Sequence, residues 1–400
     1  MALTTFKEAF DNSYEEIFQK VLVAMKIANT RLESMLTYGA SVKRVKYDIT
    51  NVRVRTVTVG TDRTIDPVTD SSELLQVNQQ VGTTFSISSK EKVQAGPLSP
   101  ASVIGAKVAM KTAIYVDATV LAETMNAYAT FDNGDLTTTQ SSGVGITLNS
   151  TTVPQLVARG PAKLKRNNQT LTNLCWVVDA YSASDFIQYI MGKNIDFAES
   201  VFKNGYAGPI GSAELYVSEN LTGEAVLSMA TQPTDGDTVV IGGVTFTFKT
   251  ALTPAAGEVL IGGSADAARA NLAALLNAPG TTTVNGVALS AADQITIQDT
   301  LRLTATNDNT ANTLTIVCVG SGRLTVSETL TAGGDSWTFN VIHSYLGKKG
   351  AIDVVVQDKV DMEIRPEPKQ RADNILSDVL FGVKTFNDGA QQFLDVLINA

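Results

Sequence analysis

The 400-residue sequence predicts an α+β fold that carries an inserted, β-rich domain. Three observations lead to this prediction. A long helical period follows Ser99 and Pro100, apolar residues alternate with polar ones for about thirteen positions after Ile352, and the composition changes between Thr222 and Asn340. Hydrophobic residues make up 44% of the chain and charged residues 18%, so enough apolar surface is available to offset the entropy of folding.

The composition excludes several classes of protein. The formal net charge is −9, whereas a dedicated nucleic-acid reader carries a basic face. Cys175 and Cys318 cannot form a disulfide framework, and no Cys/His spacing predicts a zinc site. No glycine-rich phosphate loop is present, and a catalytic triad would depend on His343, the single histidine. We therefore expect no catalytic residue, no cofactor and no metal site.

Residues 1–46 are predicted to form an N-terminal arm. Apolar residues recur at three- and four-residue steps through residues 3–36, which predicts one amphipathic helix. The first twenty residues lack the basic start and apolar centre of a secretory signal, and no stretch reaches the roughly 20 apolar residues of a membrane span. We expect synthesis in a reducing cytoplasm and no membrane partner.

Residues 47–95 are predicted to form an extended β loop. The stretch YDITNVRVRTVTVG alternates like a strand, and TTFSISS forms a second strand candidate with Phe85 and Ile87 on one face. An isolated two-stranded ribbon is marginally stable in water. We therefore expect this loop to lie on something else, such as a neighbouring chain.

Residues 96–149 are predicted to contain a long helix and a polar loop. Ser99 and Pro100 form a strong helix start, and the helical spacing continues to Phe131. The face opposite the apolar stripe carries Lys107, Lys111, Asp117 and Glu123, so we expect the helix to lie on a sheet or a partner with this polar face left exposed. Residues 132–152 are predicted to form a polar loop. Residues 150–221 are predicted to combine helices and strands.

Residues 222–340 are predicted to form the inserted domain, with the element order ββαβββ. This segment holds ten acidic residues against four basic ones, so it contributes −6 of the net −9. DTVVIGGVTFTFKT reads as a hairpin that turns at Gly242 and Gly243, and SADAARANLAALLNA reads as a helix. Its polar ends predict that deleting 222–340 leaves a remainder able to fold.

After the insert, apolar and polar residues alternate over a long stretch. Within residues 341–368, IDVVVQDKVDMEIRP predicts an unusually long strand that ends near Pro366. Residues 369–400 add two further strand candidates, VLFGVKTF and FLDVLI, around an NDG turn.

The remaining polar residues favour structural roles over chemistry. His343 lies among apolar neighbours, which is more typical of a structural histidine than of a catalytic one. FDNGD at 131–135 faintly resembles a calcium loop, but its spacing lacks the closing glutamate, so a plain turn is favoured. Cys175, beside Trp176, is predicted to lie in the core.

Two basic clusters are candidates for contacts between subunits. The first lies where the arm joins the extended loop and includes Arg53 and Arg55. The second is Lys163, Lys165 and Arg166. Both lack the interleaved aromatic residues that stack on bases, so we favour pairing with an acidic surface of another copy over contact with DNA. With Phe85 and Ile87, these five basic residues are the predicted intersubunit residues.

In its order of elements, the chain resembles the major capsid protein of tailed double-stranded-DNA bacteriophages. In the resemblance, 1–46 is the N-terminal arm, 47–95 the extended β loop, 96–149 and 341–368 a peripheral domain with a long spine helix and a long strand, and 150–221 with 369–400 an axial domain. GPIGSAELYVSENL is similar to the stretch before insertions in several such coats. The insert, from GDTVVIGGVTFTF to TLTAGGDSWTF, resembles a small module of phage virion proteins.

The resemblance implies a non-enzymatic shell subunit. It would self-assemble into the pentamers and hexamers of an icosahedral capsid, within the virion, around the double-stranded DNA genome. Implied partners are further copies of the chain, a separate scaffolding protein, a portal protein, and packaged DNA through weak non-specific contact. No Lys/Asn pair for covalent cross-linking is identified. Two alternatives stay open: the shell of an encapsulin-type bacterial compartment, and a glycan-binding tail or surface protein.

Overall fold

The computed structural model describes most of the chain between Leu22 and Ala400. The described residues are 22–36, 39–48, 52–56, 59–60, 62, 65–88, 100–138, 140–167, 169–191, 206–210, 213–331, 334–367 and 372–400.

The helices are mostly short, with one exception of 23 residues. They are α1 (Ala24–Ile27), α2 (Pro100–Ala122), α3 (Asn133–Thr137), α4 (Thr152–Arg166), α5 (Ala180–Met191), α6 (Ala265–Asn277), α7 (Ala291–Gln294) and α8 (Asn387–Ala390). The long helix α2 is named the spine helix below. Two 3₁₀ turns, Arg31–Met35 and Glu123–Asn126, and a π-helical turn, Ile295–Thr300, complete the helical segments.

The strands range from three to fifteen residues. They are β1 (Ser41–Asp48), β2 (Thr69–Gln76), β3 (Gln79–Ser88), β4 (Ala129–Phe131), β5 (Leu174–Val178), β6 (Tyr206–Ile210), β7 (Ala213–Val217), β8 (Thr222–Ser228), β9 (Thr238–Ile241), β10 (Val244–Lys249), β11 (Glu258–Leu260), β12 (Leu303–Asp308), β13 (Thr313–Cys318), β14 (Val326–Glu328), β15 (Ser336–Lys348), β16 (Asp353–Glu367), β17 (Ala372–Lys384) and β18 (Phe393–Asn399).

Four sheets organise these strands. The largest has nine strands in the order β12-β13-β8-β15-β5-β7-β6, with β18 joining β15 to β4. A three-stranded sheet has the order β16-β17-β3, and a four-stranded sheet has the order β11-β10-β9-β14. Within the described ranges, β1 and β2 pair only with each other, in antiparallel register from Ser41↔Gln76 to Asp48↔Thr69.

The spine helix lies at the centre of one apolar core. Its buried face packs with α1 of the arm, with the three-stranded sheet and with one face of the nine-stranded sheet. Helices α4 and α5 cover the opposite face of that sheet in a second core. A third core consists entirely of residues between 225 and 324.

The arm differs from its prediction. Of the helix expected over 3–36, residues 1–21 lie outside the described part of the chain, and over 22–36 the prediction of one continuous helix is wrong. The chain leaves the helix at Ala28, and the side-chain Nδ2 of the next residue, Asn29, donates to Asp353 Oδ1 at 2.6 Å. The Asn29 backbone N–H also donates to the Ile352 carbonyl at 2.8 Å. Pairing with a strand 324 residues away therefore replaces local helical bonds.

The spine helix begins at Pro100, as the sequence predicts, but it ends earlier than predicted. Its last residue is Ala122, and β4 replaces the helix expected near Phe131 because residues 129–131 pair in parallel with β18. Asp117, predicted to be exposed, has 0% of its surface accessible. Its carboxylate accepts bonds from the Ala24 backbone N–H at 2.7 Å, the Ser218 hydroxyl at 2.9 Å and Asn220 Nδ2 at 3.0 Å.

The polar loop after the spine helix is more ordered than predicted. Asp132 caps α3, and Asp135 closes the reciprocal capping box. Burial alone would raise the pKa of Asp132, but bonds from Ser141, Ser142 and Gly143 outweigh it and lower that pKa. The FDNGD segment, predicted to be a plain turn, therefore forms the cap and the beginning of helix α3.

The insert contains the predicted hairpin, with Gly242 and Gly243 both at positive φ between β9 and β10. Its helix α6 also matches the prediction. However, β8 and β15, at its two ends, belong to the nine-stranded sheet, where β8 pairs with Ser336–His343 of β15. The division of the chain into domains stays a proposal, and the sheet runs through the proposed boundary.

Candidate assembly site

The ribbon, defined as residues 41–76, is anchored at one end. Leu75 and the adjacent Val77 are buried beside Leu36, Val355 and Phe386 in a small apolar cluster. Arg44 donates to Asp388 at 2.6 Å from the same end of β1. These contacts hold the base of the ribbon against the body.

The other end of the ribbon, residues 52–68, is named the ribbon tip. Seven of the fifteen large apolar side chains that are exposed in the described part of the chain lie in the ribbon: Val45, Val52, Val54, Val59, Ile65, Val68 and Leu74. Val54 and Val59 are fully exposed, at 103% and 99%. Such a concentration of exposed apolar side chains on a projecting segment is typical of a surface that is covered by a partner.

Arg53 and Arg55 meet at one carboxylate. The two terminal guanidinium nitrogens of Arg55, Nη1 and Nη2, donate to Asp66 at 2.8 Å, and the Arg53 backbone N–H donates to the same side chain at 2.8 Å. Hydrogen bonds from Arg55 and Arg53 lower the pKa of Asp66. The prediction of a strand over this stretch is wrong for residues 52–56, which belong to no strand.

Phe85 and Ile87 both lie on β3. Phe85 is half-buried and packs against the core around the spine helix, so it contributes to the fold of its own chain. The side chain of Ile87 lies outside the described residues. Their predicted role between subunits stays a prediction.

The second basic cluster lies in the last two turns of α4. Lys163 is partly buried and donates to Asp135 Oδ2 and to the Thr130 carbonyl, both at 2.6 Å. Lys165 and Arg166 are exposed. Basic side chains in a last helical turn also complement the helix dipole, so Lys163 serves its own fold, while Lys165 and Arg166 are accessible to a partner.

His343 is a structural residue that bridges three strands. From β15, its Nδ1 lies 2.8 Å from Asp395 of β18 and its Nε2 lies 3.1 Å from Glu224 of β8. Burial lowers the pKa of His343, but the bonds and charges of the two carboxylates outweigh burial and raise it to about 9. The ring is therefore an imidazolium at neutral pH and donates from both nitrogens.

Two arginines attach the insert to the body. Arg302 lies 3.7 Å over the Tyr115 ring of the spine helix and donates to the Thr119 hydroxyl at 3.0 Å. Its φ of 48° is in the left-handed region, which costs a non-glycine residue about 1–2 kcal/mol. Arg323 donates to the buried Asp179 carboxylate at 2.6 Å. With the Glu224–His343 contact, these bonds connect the insert to the spine helix, to the residue between β5 and α5, and to β15.

The described residues show no arrangement for nucleophilic or metal chemistry. Cys175 is buried, as predicted, and burial raises the pKa of its thiol to about 12, which suppresses the reactive thiolate. Within the described ranges, no three His, Cys, Asp or Glu side chains converge in a metal-binding group. No helix in those ranges is both long enough and apolar enough to cross a membrane.

Comparisons with known proteins identify solved phage structures. No protein-family model matches the chain, and no curated protein sequence does. The capsid structure of the cyanophage P-SCSP1u aligns with a TM-score of 0.50 and 9% identity, over 95% of this chain and 89% of that one.

Two further structures align less closely. Mycobacterium phage Che8 gives a TM-score of 0.44 and 14% identity, over 94% and 91% of the two chains. The mature capsid of bacteriophage PhiM1 gives a TM-score of 0.46 and 10% identity, over 94% of this chain and 87% of that one. The cyanophage alignment confirms the predicted α+β fold class over nearly the whole chain: this protein has the fold of a phage capsid protein.

Proposed function

We propose that the chain is the major capsid subunit of a tailed double-stranded-DNA bacteriophage. It self-assembles into the pentamers and hexamers of an icosahedral shell around the genome. One observation carries the proposal: a chain with a phage-capsid fold exposes seven large apolar side chains on its ribbon. The described part of the chain offers them no cover, so a neighbouring copy is the partner that the proposal requires.

Burial of the ribbon tip supplies the main assembly energy in this proposal. Fully burying one Val, Leu or Ile side chain contributes roughly 1.5–3 kcal/mol relative to leaving it exposed. Several such side chains exceed the cost of ordering an extended segment only when they are buried together. The tip is therefore expected to act as one cooperative contact.

The other parts of the proposal concern charge and partners. Arg53, Arg55, Lys165 and Arg166 set the register between copies through charge pairs, which tune specificity more than affinity. The acidic insert faces outward. A separate scaffolding protein, a portal protein and weakly held DNA are the remaining partners, and the protein, made in the bacterial cytoplasm, has a structural role without catalysis.

A charge placed in the ribbon tip tests this proposal. We expect Val54→Asp to leave the isolated chain folded, because Val54 is fully exposed, and to raise the concentration needed for assembly at least about tenfold. The reason is that a carboxylate would lose its water on docking. Sedimentation velocity over a concentration series measures the shift.

The matched control is Val284→Asp in the insert, where Val284 is 85% exposed. This variant adds the same charge to a similarly exposed valine and is expected to assemble like the unmodified chain. Equal assembly of all three proteins would contradict a role for the ribbon tip.

A further inference from the structure

We propose that residues 52–56 of one copy add as a strand to the outer edge of β3 in a neighbouring copy. The inference rests on the proposed shell function and names the surface that receives the ribbon tip. It arises from the two edges of the three-stranded sheet, which differ in how well they are protected.

The β16 edge is protected against strand addition. The arm covers its beginning, where the Val354 N–H donates to the Asn29 carbonyl at 3.0 Å. Further along, its pairing with β17 is interrupted twice, around Asp358, and the strand contains Pro366 and alternating charges. Bulges, prolines and charges are the usual devices that prevent pairing with another chain.

The β3 edge has none of these devices. β3 contains no charged residue and no proline, and it pairs in unbroken register with β17 from Gln79↔Phe381 to Ser88↔Ala372. Among the described residues, Gln79–Thr84 form no backbone hydrogen bond beyond that pairing. A regular, uncharged edge of this kind is a template for an added strand.

Residues 52–56 have the chemistry of a strand without a strand partner. The sequence VRVRT alternates β-branched and long side chains, which strongly favours a strand. In the described part of the chain these five residues are exposed and belong to no ladder. A conflict between local preference and structure is expected where a partner is missing.

The charges of the two surfaces are complementary. β16 and β17 together hold seven acidic and three basic residues, whereas VRVRT carries two arginines. The Asp378 carboxylate lies over Gly82, where a Cβ would come within 2.0 Å of its oxygen, and Gln80 Nε2 holds it at 2.9 Å. This acid thus lies on β3 itself, about one strand spacing of 4.8 Å from an added strand.

The Arg55–Asp66 pair does not prevent this docking. Arg55 is partly exposed, and surface ion pairs contribute little to stability. Arg53 offers its side chain to the partner while its backbone N–H is held by Asp66. Residues 52–56 are exposed, so a neighbouring copy can reach them without first displacing another strand.

Disulfide cross-linking between copies tests the proposal. Chains carrying Thr84→Cys are co-assembled with chains carrying Val52→Cys, Val54→Cys or Thr56→Cys, with an excess of unmodified chain, and oxidised mildly. We expect at least one of the three mixtures to give tenfold more cross-linked dimer than Thr84→Cys with Val284→Cys. The native Cys175 and Cys318 are buried and give little background.

A charge exchange provides a second measurement. Arg53→Glu is expected to raise the concentration needed for assembly several-fold. Adding Asp378→Lys to the same chain is expected to bring that concentration back to the value of the unmodified chain. Such rescue requires that position 53 of one copy contacts position 378 of the next.

The outcomes separate the two proposals. Shells that form without any of the three cross-links and without rescue overturn the strand addition but leave the shell function intact. If the unmodified chain forms no shells at all, both proposals are overturned. Cross-links within shells, at the expected yield, support the strand addition.

Discussion

His343 joins three neighbouring strands through one positive charge. Two carboxylates share this cation: Asp395 of the C-terminal strand, which is buried, and Glu224 of the insert, which is partly exposed. Burial raises the pKa of Asp395, so this carboxylate depends on the imidazolium to stay ionised.

The charge on His343 predicts a pH-dependent stability. Because its pKa rises from 6.5 in the unfolded chain to about 9, its contribution is fully present below pH 6.5 and is lost as the pH rises through 9. The shift corresponds to about 3 kcal/mol. We expect the free energy of unfolding of His343→Gln to be lower than that of the unmodified chain at pH 6, and the gap to narrow by pH 10.

Chemical denaturation at several pH values measures that gap. Both proteins carry Val54→Asp, so that assembly does not contribute. A gap of constant size from pH 6 to pH 10 would show that the ring is neutral in the folded chain.

At the scale of elements, the insert is part of the body's sheet as well as a unit with its own core. β8 supplies Glu224 and pairs with the first half of β15. Removing 222–340 would therefore delete Ser336–Asn340 of β15 as well, and would leave Asp395 and His343 without Glu224. The deletion of 222–340, which the polar ends of the insert predict to be tolerated, is therefore expected to disrupt the sheet. A narrower deletion that keeps β8 and β15 is expected to be tolerated.

The narrower deletion removes 229–335. Ser228 and Ser336 are directly opposite each other in the sheet, so an Asn-Gly turn can close the hairpin between β8 and β15. We expect this variant to be folded but less stable, since it loses Arg302 and Arg323, and the 222–340 deletion to be largely insoluble. Circular dichroism and thermal melting compare the two. Equal folding of both deletions would mean that β8 belongs wholly to the insert.

At the scale of the whole molecule, the sequence predicts the elements whose signals are local. The Ser99–Pro100 helix start, the Gly242–Gly243 hairpin and the long strand Asp353–Glu367 each depend on a few neighbouring residues. The predictions fail where distant contacts decide. Asp117 is polar and was expected in solvent, but donors 93 to 103 residues away in sequence bury it.

In the candidate assembly site, too, the sequence predicts the local features and not those that depend on distant contacts. The sequence identifies Arg53 and Arg55 and the alternating pattern around them. It cannot show that both residues donate hydrogen bonds to Asp66 or that the adjacent valines are exposed. The insert's attachment through Arg302 also has no local signal, because Tyr115 lies 187 residues earlier.

Negative-stain electron microscopy of the purified chain, with and without a co-expressed scaffolding protein, tests the central claim most directly. We predict closed shells or capsomers of uniform size, and nuclease-protected DNA inside particles recovered from infected cells. A chain that remains a monomer at every concentration and with every scaffold would contradict it.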